Sequence, residues 1–263
     1  MMRIDLYLAQ YGYAKSRQNA KNLIESGKVI IDGRLIEKPS EQIDENAEHV
    51  AEVSREKYVC RGALKLEGAL ETFKIDVADK VCIDIGASTG GFTDVLLNYG
   101  AEKVYAVDSG HGQLDASLAE NEKVVNIEGY NARNLARADF PCLFDMAVMD
   151  VSFISQTYIF GGIAEVLTEN GILVSLIKPQ FEAGRSAVGK NGIVKKKEDR
   201  EAAILRVIEA ASETGLYCKA LMRSPIDGGD GNIEYLAYFT RNEKEYNIRR
   251  TEIKDLIRKE GRV

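Results

Sequence analysis

No stretch of 18 consecutive apolar residues occurs in this 263-residue sequence, which excludes a bilayer-spanning helix. The opening MMRIDLYLAQYG is too short and too polar for a secretory signal peptide. Cysteine is sparse: Cys60, Cys82, Cys142 and Cys218 lie far apart and match no metal-ligand spacing, so no metal site is expected. Such isolated thiols fit a reducing cytoplasm, with Cys82 packing as a small hydrophobe. Two nucleotide fingerprints are missing as well. The glycines do not fall in the G-x-G-x-x-G register of a dinucleotide site, and no G-x-x-x-x-G-K-[ST] run marks a P-loop. Positive charge is not in excess, with 35 Lys and Arg against 41 Asp and Glu, a net charge of −6. That acidity does not exclude an RNA partner, because a basic face acts locally. Residues 1–40 hold seven basic and four acidic side chains, whereas residues 41–56 hold six acids and Arg55 alone.

What is present begins with VCIDIGASTGGFT, residues 81–93. An apolar strand leads through Asp84 into a turn, Gly86-Ala87-Ser88-Thr89-Gly90-Gly91, and Phe92 opens a helix. Strand, glycine turn and helix in that order hold a nucleotide-like ligand at the carboxyl edge of an α/β sheet. The glycine bend lets a ligand approach the backbone closely. Asp108, 22 residues after Gly86, closes the next apolar run, KVYAVD, and suits a ribose diol. Carboxylates at Asp84 and Asp108 repel a phosphate but tolerate the amino group and sulfonium of S-adenosylmethionine. A third strand and loop, VVNIEGYNARNL, brings Asn131 and Ala132 to border an adenine. The competing reading is that these residues merely shape a strand-to-helix turn.

Further strands are expected at LFDMAVMD, GILVSLIK, YCKALMRSPI and NIEYLAYFT, with helices over RGALKLEGALETF and about 155–168 and 199–214. This alternation predicts an α/β fold: a seven-stranded Rossmann-like sheet in a three-layer sandwich. Asp150 and Lys178 end strands at the ligand-binding edge, Glu234 within the final strand approaches it, and Lys65 reaches in from the preceding helix. A Lys-Asp-Lys-Glu group suits methylation of a sugar hydroxyl. Lys178 orients the hydroxyl and assists its deprotonation, Asp150 and Glu234 hold the lysines, and Lys65 stabilises developing negative charge. Singly, each has a plainer reading: a wet helix face for Lys65, a turn cap for Asp150, surface pairing for Glu234 and a structural ion pair for Lys178.

The amino-terminal segment predicts a small α+β unit. Ser16 caps a helix over about 17–26, and KVIIDGRLI forms a hairpin around Asp32-Gly33. Arg17, Lys21 and Arg34 converge as a basic surface suited to phosphate contacts. On RIDLYL, SRQNAKNLIESGKVIIDG and the Lys38-Pro39 step, this segment resembles the S4 RNA-binding module. The resemblance implies that Arg3, Arg17, Gln18, Lys21 and Arg34 face RNA.

Over about residues 3–240 the chain resembles the TlyA family, related to FtsJ-type ribosomal RNA 2′-O-methyltransferases. RGALKLEGAL, DIGASTGGFTDVLL, AVDSGHGQLD, NARNL, DVSFIS, IKPQFEAGR and GNIEY carry the likeness. It implies methyl transfer from S-adenosylmethionine to a ribose 2′-oxygen, with cytidine as the nucleotide, in ribosomal RNA of a cytoplasmic ribosomal subunit or precursor. No obligatory metal and no membrane are implied. The tetrad falls on Lys65, Asp150, Lys178 and Glu234. Cofactor residues are Asp84, Gly86 to Phe92, Asp108, Ser109, His111, Asn131, Ala132 and Asp150. His111 stands where the family has an aromatic wall, in Gly110-His111-Gly112 rather than Gly-Tyr-Gly. Arg61 at the domain junction, together with Arg185 and Lys190 in a mobile basic loop, extends the RNA surface. The expected layout is 1–57 for the S4-like unit, 58–62 as linker, 63–243 for the methyltransferase and 244–263 as a basic helical tail extending the RNA footprint. The alternatives are a non-catalytic RNA-binding or assembly protein with a vestigial cofactor pocket, a small-molecule methyltransferase and a membrane-lytic protein.

Overall fold

In the computed structural model, which describes residues 1–53, 57–241 and 247–260, the chain divides into two units, Met1–Lys57 and Tyr58–Val263. The first comprises β1 (Met2–Arg3), α1 (Ile4–Gln10), α2 (Arg17–Glu25), β2 (Val29–Ile31), β3 (Arg34–Leu35), β4 (Gln42–Ile43) and β5 (Ala51–Val53). Ser16 starts α2 by accepting the Asn19 N–H at 3.2 Å. Ala20, Leu23 and Ile24, spaced along one side of α2, are buried in a small core with Ile4, Leu8 and Ile36. β2 pairs antiparallel with β3 across the Asp32-Gly33 turn and with β5 on its other side.

That turn is clamped by a histidine. His49 Nδ1 lies 2.7 Å from Asp32 Oδ2, and Nε2 lies 2.8 Å from the Asp44 carbonyl oxygen. A carboxylate and a carbonyl can only accept, so both ring nitrogens donate and the imidazole carries charge. The Asp32 hydrogen bond holds His49 above its ordinary 6.5.

The second unit follows the order α3 (Ala63–Phe73), β6 (Val81–Ile85), α4 (Gly91–Asn98), β7 (Lys103–Val107), α5 (Ala116–Ala119), β8 (Val124–Ile127), β9 (Phe144–Met149), α6 (Phe160–Val166), β10 (Leu167–Ile177), α7 (Pro179–Glu182), α8 (Lys197–Glu213), β11 (Tyr217–Arg223), β12 (Tyr235–Thr240) and α9 (Arg250–Lys259). Its seven-stranded sheet runs β11-β12-β10-β9-β6-β7-β8. β10, β9, β6, β7 and β8 are mutually parallel, and β12 is antiparallel to both of its neighbours.

Side-chain alternation sorts the strands onto two faces. Ile83, Ile85, Ala147, Met149, Leu173, Ile177, Tyr235 and Phe239 face α6, α8 and α9, joining Phe160, Ile204, Val207, Ile253 and Ile257. Cys82, Met146, Val148, Val174, Leu176 and Leu236 face α3 and α4, joining Leu66, Leu70, Phe92 and Val95. The strands bury both faces, as an α/β sheet requires.

Three local expectations are corrected. Glu234 precedes β12 rather than lying within it. The helix expected over 155–168 is a short 3₁₀ turn, Gln156–Tyr158, followed by α6, and β10 begins earlier, at Leu167. A register shift between Leu167 and Ile172 absorbs the polar Thr168-Glu169-Asn170-Gly171 stretch that reads as a break between elements.

A raised histidine value means that its contribution is complete below the unfolded value and fades as pH rises through the folded one. We therefore expect His49, followed by ring-proton NMR, to titrate above 6.5. The melting temperature of the wild type should fall across that interval, and His49→Gln should remove this dependence. A His49 midpoint at or below 6.5 would contradict the clamp.

Candidate active site

Strand order reverses between β6 and β9, so the chain leaves these neighbours in opposite directions and opens a crevice at their carboxyl ends. A cavity of about 1010 Å³ lies there. Of the residues nominated from sequence, Gly86, Ser88, Asp108, Ser109, Asn131, Ala132 and Asp150 line it. Gly86 has φ +86°, and a β-carbon there would sit 2.6 Å from the Asp150 carbonyl oxygen. Only glycine keeps the β6 turn this close to the end of β9. Asp108 is fixed by the backbone: Oδ2 accepts the Ser88 N–H at 2.8 Å, and Oδ1 accepts the Gly110 N–H at 2.7 Å. Each oxygen keeps a second lone pair for a ligand hydroxyl. A cavity of this size with a glycine cradle and an anchored acid fits S-adenosylmethionine.

Other nominated residues stand behind the wall. A β-carbon at Gly90 would fall 2.3 Å from Leu118 Cδ1, and one at Gly91 would fall 2.5 Å from Cys60 Sγ. Those glycines serve packing. Ala87 and Phe92 are buried, and Thr89 is not part of the cavity lining. His111 is exposed; its ring covers Gly129, which does line the cavity. Asp84 is fully buried: Oδ2 accepts from Thr93 Oγ at 2.7 Å, while Oδ1 has no partner. Burial pushes this carboxyl up to about 7; the Thr93 hydrogen bond opposes the rise, and nearby Asp150 adds to it.

The four residues nominated from sequence for the chemistry assemble as two ion pairs. Lys178 Nζ lies 2.6 Å from Asp150 Oδ1 and donates to Ser152 Oγ at 2.7 Å. Lys65 Nζ donates to Glu234 Oε2 at 2.7 Å. The alternation of the sheet explains the meeting. Asp150 continues the Met146, Val148 series, Lys178 continues Val174, Leu176, and Glu234 precedes Leu236 by two. All three therefore extend from the face that α3 covers, where Lys65 sits beside buried Leu66. Ile177 pairs with Tyr235, which makes Lys178 and Glu234 the next rung, and Gln180 Nε2 lies 3.4 Å from Glu234 Oε1. Lys65 is only 9% exposed, so it does not occupy a wet helix side.

Sequence reasoning missed the support behind this edge. Glu182, 2% exposed, accepts from Ser155 Oγ at 2.6 Å and from the Gln156 N–H at 3.0 Å. Gln156 in turn accepts from Ser175 Oγ at 2.5 Å. Because α7 carries Lys178 at its start and Glu182 at its end, these bonds tie it to the segment that follows Asp150. The available signal was Ser175, a polar residue inside the apolar ILVSLI run that needs a buried partner.

On the first unit, Arg3 and Arg17 both bond the fully buried Asp5, at 2.9 and 3.0 Å. The Arg3 hydrogen bond, with Arg17 assisting against burial, holds that carboxyl down to about 2. Arg34 pairs with Glu41 at 2.8 Å, and Gln18 donates to Asn22. Lys21 is half-buried, while Arg61 and Lys190 are exposed. The side chain of Arg185 lies outside the described residues. Among the described residues no helix is long and apolar enough to cross a membrane, and no cluster of metal-ligating side chains occurs.

A raised acid is protonated when folded and costs stability as pH climbs from the unfolded 3.8 through the folded value near 7. Between pH 5 and 8 we expect the wild-type melting temperature to decline more than that of Asp84→Asn, followed by circular dichroism. Parallel pH curves for the two proteins would contradict a neutral, desolvated Asp84.

Comparison with known proteins matches the S4-domain model to residues 2–49 and the FtsJ-like methyltransferase model to residues 58–241. The 16S/23S rRNA (cytidine-2′-O)-methyltransferase TlyA of Mycobacterium tuberculosis is 42% identical over 237 residues, covering 90% of this chain and 88% of the relative. Hemolysin A of Brachyspira hyodysenteriae is 42% identical over 239 residues, covering 90% and 99%. A solved hemolysin-like protein from Streptococcus thermophilus superposes with a TM-score of 0.76 at 41% identity, covering 98% of this chain and 94% of that one. The chain belongs to the TlyA-like family, which joins an S4 domain to an FtsJ-like methyltransferase domain.

Proposed function

We propose that this chain transfers a methyl group from S-adenosylmethionine to the ribose 2′-hydroxyl of a cytidine in ribosomal RNA, acting on a ribosomal subunit or its precursor in the cytoplasm. The observation that carries the reading is the pair of buried lysine–carboxylate contacts at the sheet edge. In this reading residues 1–57 bind RNA, 58–62 link the units, and 63–243 do the chemistry. Gly86, Ser88, Asp108, Asn131 and Ala132 hold the cofactor. When bound, S-adenosylmethionine supplies an electrophilic methyl carbon on a sulfonium leaving group.

The chain's own groups act on the sugar oxygen. An ammonium has three donors. Lys178 donates to Ser152 and lies in ion-pair contact with Asp150, which leaves a donor for the 2′-oxygen. There it orients the hydroxyl, and in the neutral form it receives the departing proton. Lys65, held by Glu234, adds positive charge where oxygen becomes negative. Much of the acceleration comes from alignment, because a hydroxyl held in line with the methyl carbon reacts as an intramolecular group. The substrate in the name of the Mycobacterium tuberculosis relative, cytidine in ribosomal RNA, supports the choice of acceptor. The arginines anchored on Asp5 support an S4 face that contacts phosphates.

The test is single-turnover transfer of labelled methyl to ribosomal subunits lacking the modification. Lys178→Ala should slow transfer at least about 100-fold, the scale of a lost general base. Its cofactor dissociation constant by calorimetry should change less than about threefold. Ser152→Ala should cost about tenfold, one hydrogen bond's share. A Lys178→Ala enzyme that transfers methyl at a near-normal rate would remove the lysine from the reaction. A wild type that binds RNA without transferring methyl would favour the non-catalytic assembly protein.

A further inference from the structure

The carboxyl-terminal helix reads from sequence as a basic RNA-facing extension, and three arginines on it and at its start are in ion pairs. Arg249 pairs with Glu252, Arg250 with Glu201, and Arg258 with Asp255. Its apolar side, Ile253 and Ile257, is buried in the main core. Lys197 Nζ approaches the carbonyl oxygens of Arg258 and Glu260 at its end, at 3.5 and 3.4 Å. The helix delivers one more group inward: the Glu260 carboxylate, only 4% exposed.

There Glu260 meets two buried residues that the proposed chemistry does not use. Arg200 Nη2 lies 2.6 Å from Glu260 Oε2, and the Tyr235 hydroxyl donates to Oε1. Arg200 Nε donates to that hydroxyl at 3.1 Å. The rest of the guanidinium holds backbone, with Nη1 donating to the Val194 and Lys195 carbonyls at 3.1 and 2.8 Å. From the other side buried Asn232 accepts the Val194 N–H at 3.3 Å and donates to the Gly192 carbonyl at 3.1 Å. Two consequences follow. The segment from Gly184, which lines the cavity, to Lys195 is fastened at its far end. Tyr235, the first residue of β12, is pinned next to Glu234, the partner of Lys65.

We propose that Glu260 is a positioning residue: α9 acts on methyl transfer by locking Arg200 and Tyr235, which set the place of Glu234 and of the segment ending at Lys195. The inference rests on the proposed methyltransferase reading. A buried charged network is a weak route to stability, since well-packed apolar residues of similar volume do as well or better. A network that fixes register is a better account of three polar groups here. A displacement near 1 Å at the reacting groups costs about a hundredfold in rate.

The experiment uses full-length Glu260→Ala and Tyr235→Phe, singly and together, with Val166→Ala as a core variant outside the network. Single-turnover transfer, cofactor and RNA dissociation constants, and hydrogen exchange are measured. Glu260→Ala should slow transfer at least tenfold with both dissociation constants within about threefold of the wild type. Adding Tyr235→Phe should slow it little further, because both changes cut one connection. Amide exchange at Gly189–Lys195 and Tyr235–Leu236 should rise in Glu260→Ala and stay unchanged in Val166→Ala, each assayed well below its own melting temperature. Wild-type rate in Glu260→Ala, an equal loss in Val166→Ala, or a loss confined to RNA affinity would overturn the proposal. If the wild type shows no methyl transfer, the functional reading fails; the exchange arm still decides whether Glu260 fastens these segments.

Discussion

Two ammonium groups held almost out of water, each against one carboxylate, constrain everything around them. Lys65 and Lys178 are each 9% exposed, and Glu234 is 2% exposed. Charges so buried remain only where a partner and well-directed hydrogen bonds offset the loss of hydration, and removing one partner strands the other at a cost of about 3–5 kcal/mol. The four residues come from α3 and three strand ends: the Lys178–Asp150 pair needs β9 and β10 in register, and the Lys65–Glu234 pair needs α3 seated beside β12. The glycine turn at Gly86 belongs to the same constraint, since it lets β6 approach the Asp150 backbone.

The surrounding structure keeps groups that stability alone does not favour. Asp84 sits unpaired on one oxygen behind the cavity, pushed up to about 7 by burial. Glu182 is likewise raised, with burial outweighing its bonds from Ser155 and Gln156. Acids held in this way beside a cavity are the pattern of a site arranged for chemistry. Asp84 is held by Thr93 of α4, whereas the bonds that support Glu182 join α7 to the stretch after Asp150, the two segments that carry the Lys178–Asp150 pair.

Much of this was legible in the residues, for a physical reason. Strand ends at the carboxyl edge put Asp150 and Lys178 at the candidate site from sequence, with Glu234 approaching from the final strand; that all three extend from one face, with Glu234 one residue before β12, follows from the strand pairing. The turn from Gly86 to Gly91 marks the ligand-binding edge in the same way, although only Gly86 and Ser88 of that run line the cavity. What periodicity does not carry was lost. Arg3 and Arg17 read as RNA contacts, but their shared partner Asp5 is visible only once α1 and α2 pack together. The pairing of Arg200 with Glu260 spans 60 positions, and no local pattern encodes it. Glu182 is one acid among 41 Asp and Glu until the 3₁₀ turn at Gln156 closes over it.

The most direct test of the central claim is a crystal structure of the enzyme with S-adenosylhomocysteine and an RNA fragment bearing the acceptor cytidine. The ribose 2′-oxygen is expected within about 3.2 Å of Lys178 Nζ, the reach of a proton-transfer partner, with both lysine–carboxylate pairs intact. A bound ribose whose 2′-oxygen lies beyond hydrogen-bonding reach of both lysines would contradict it.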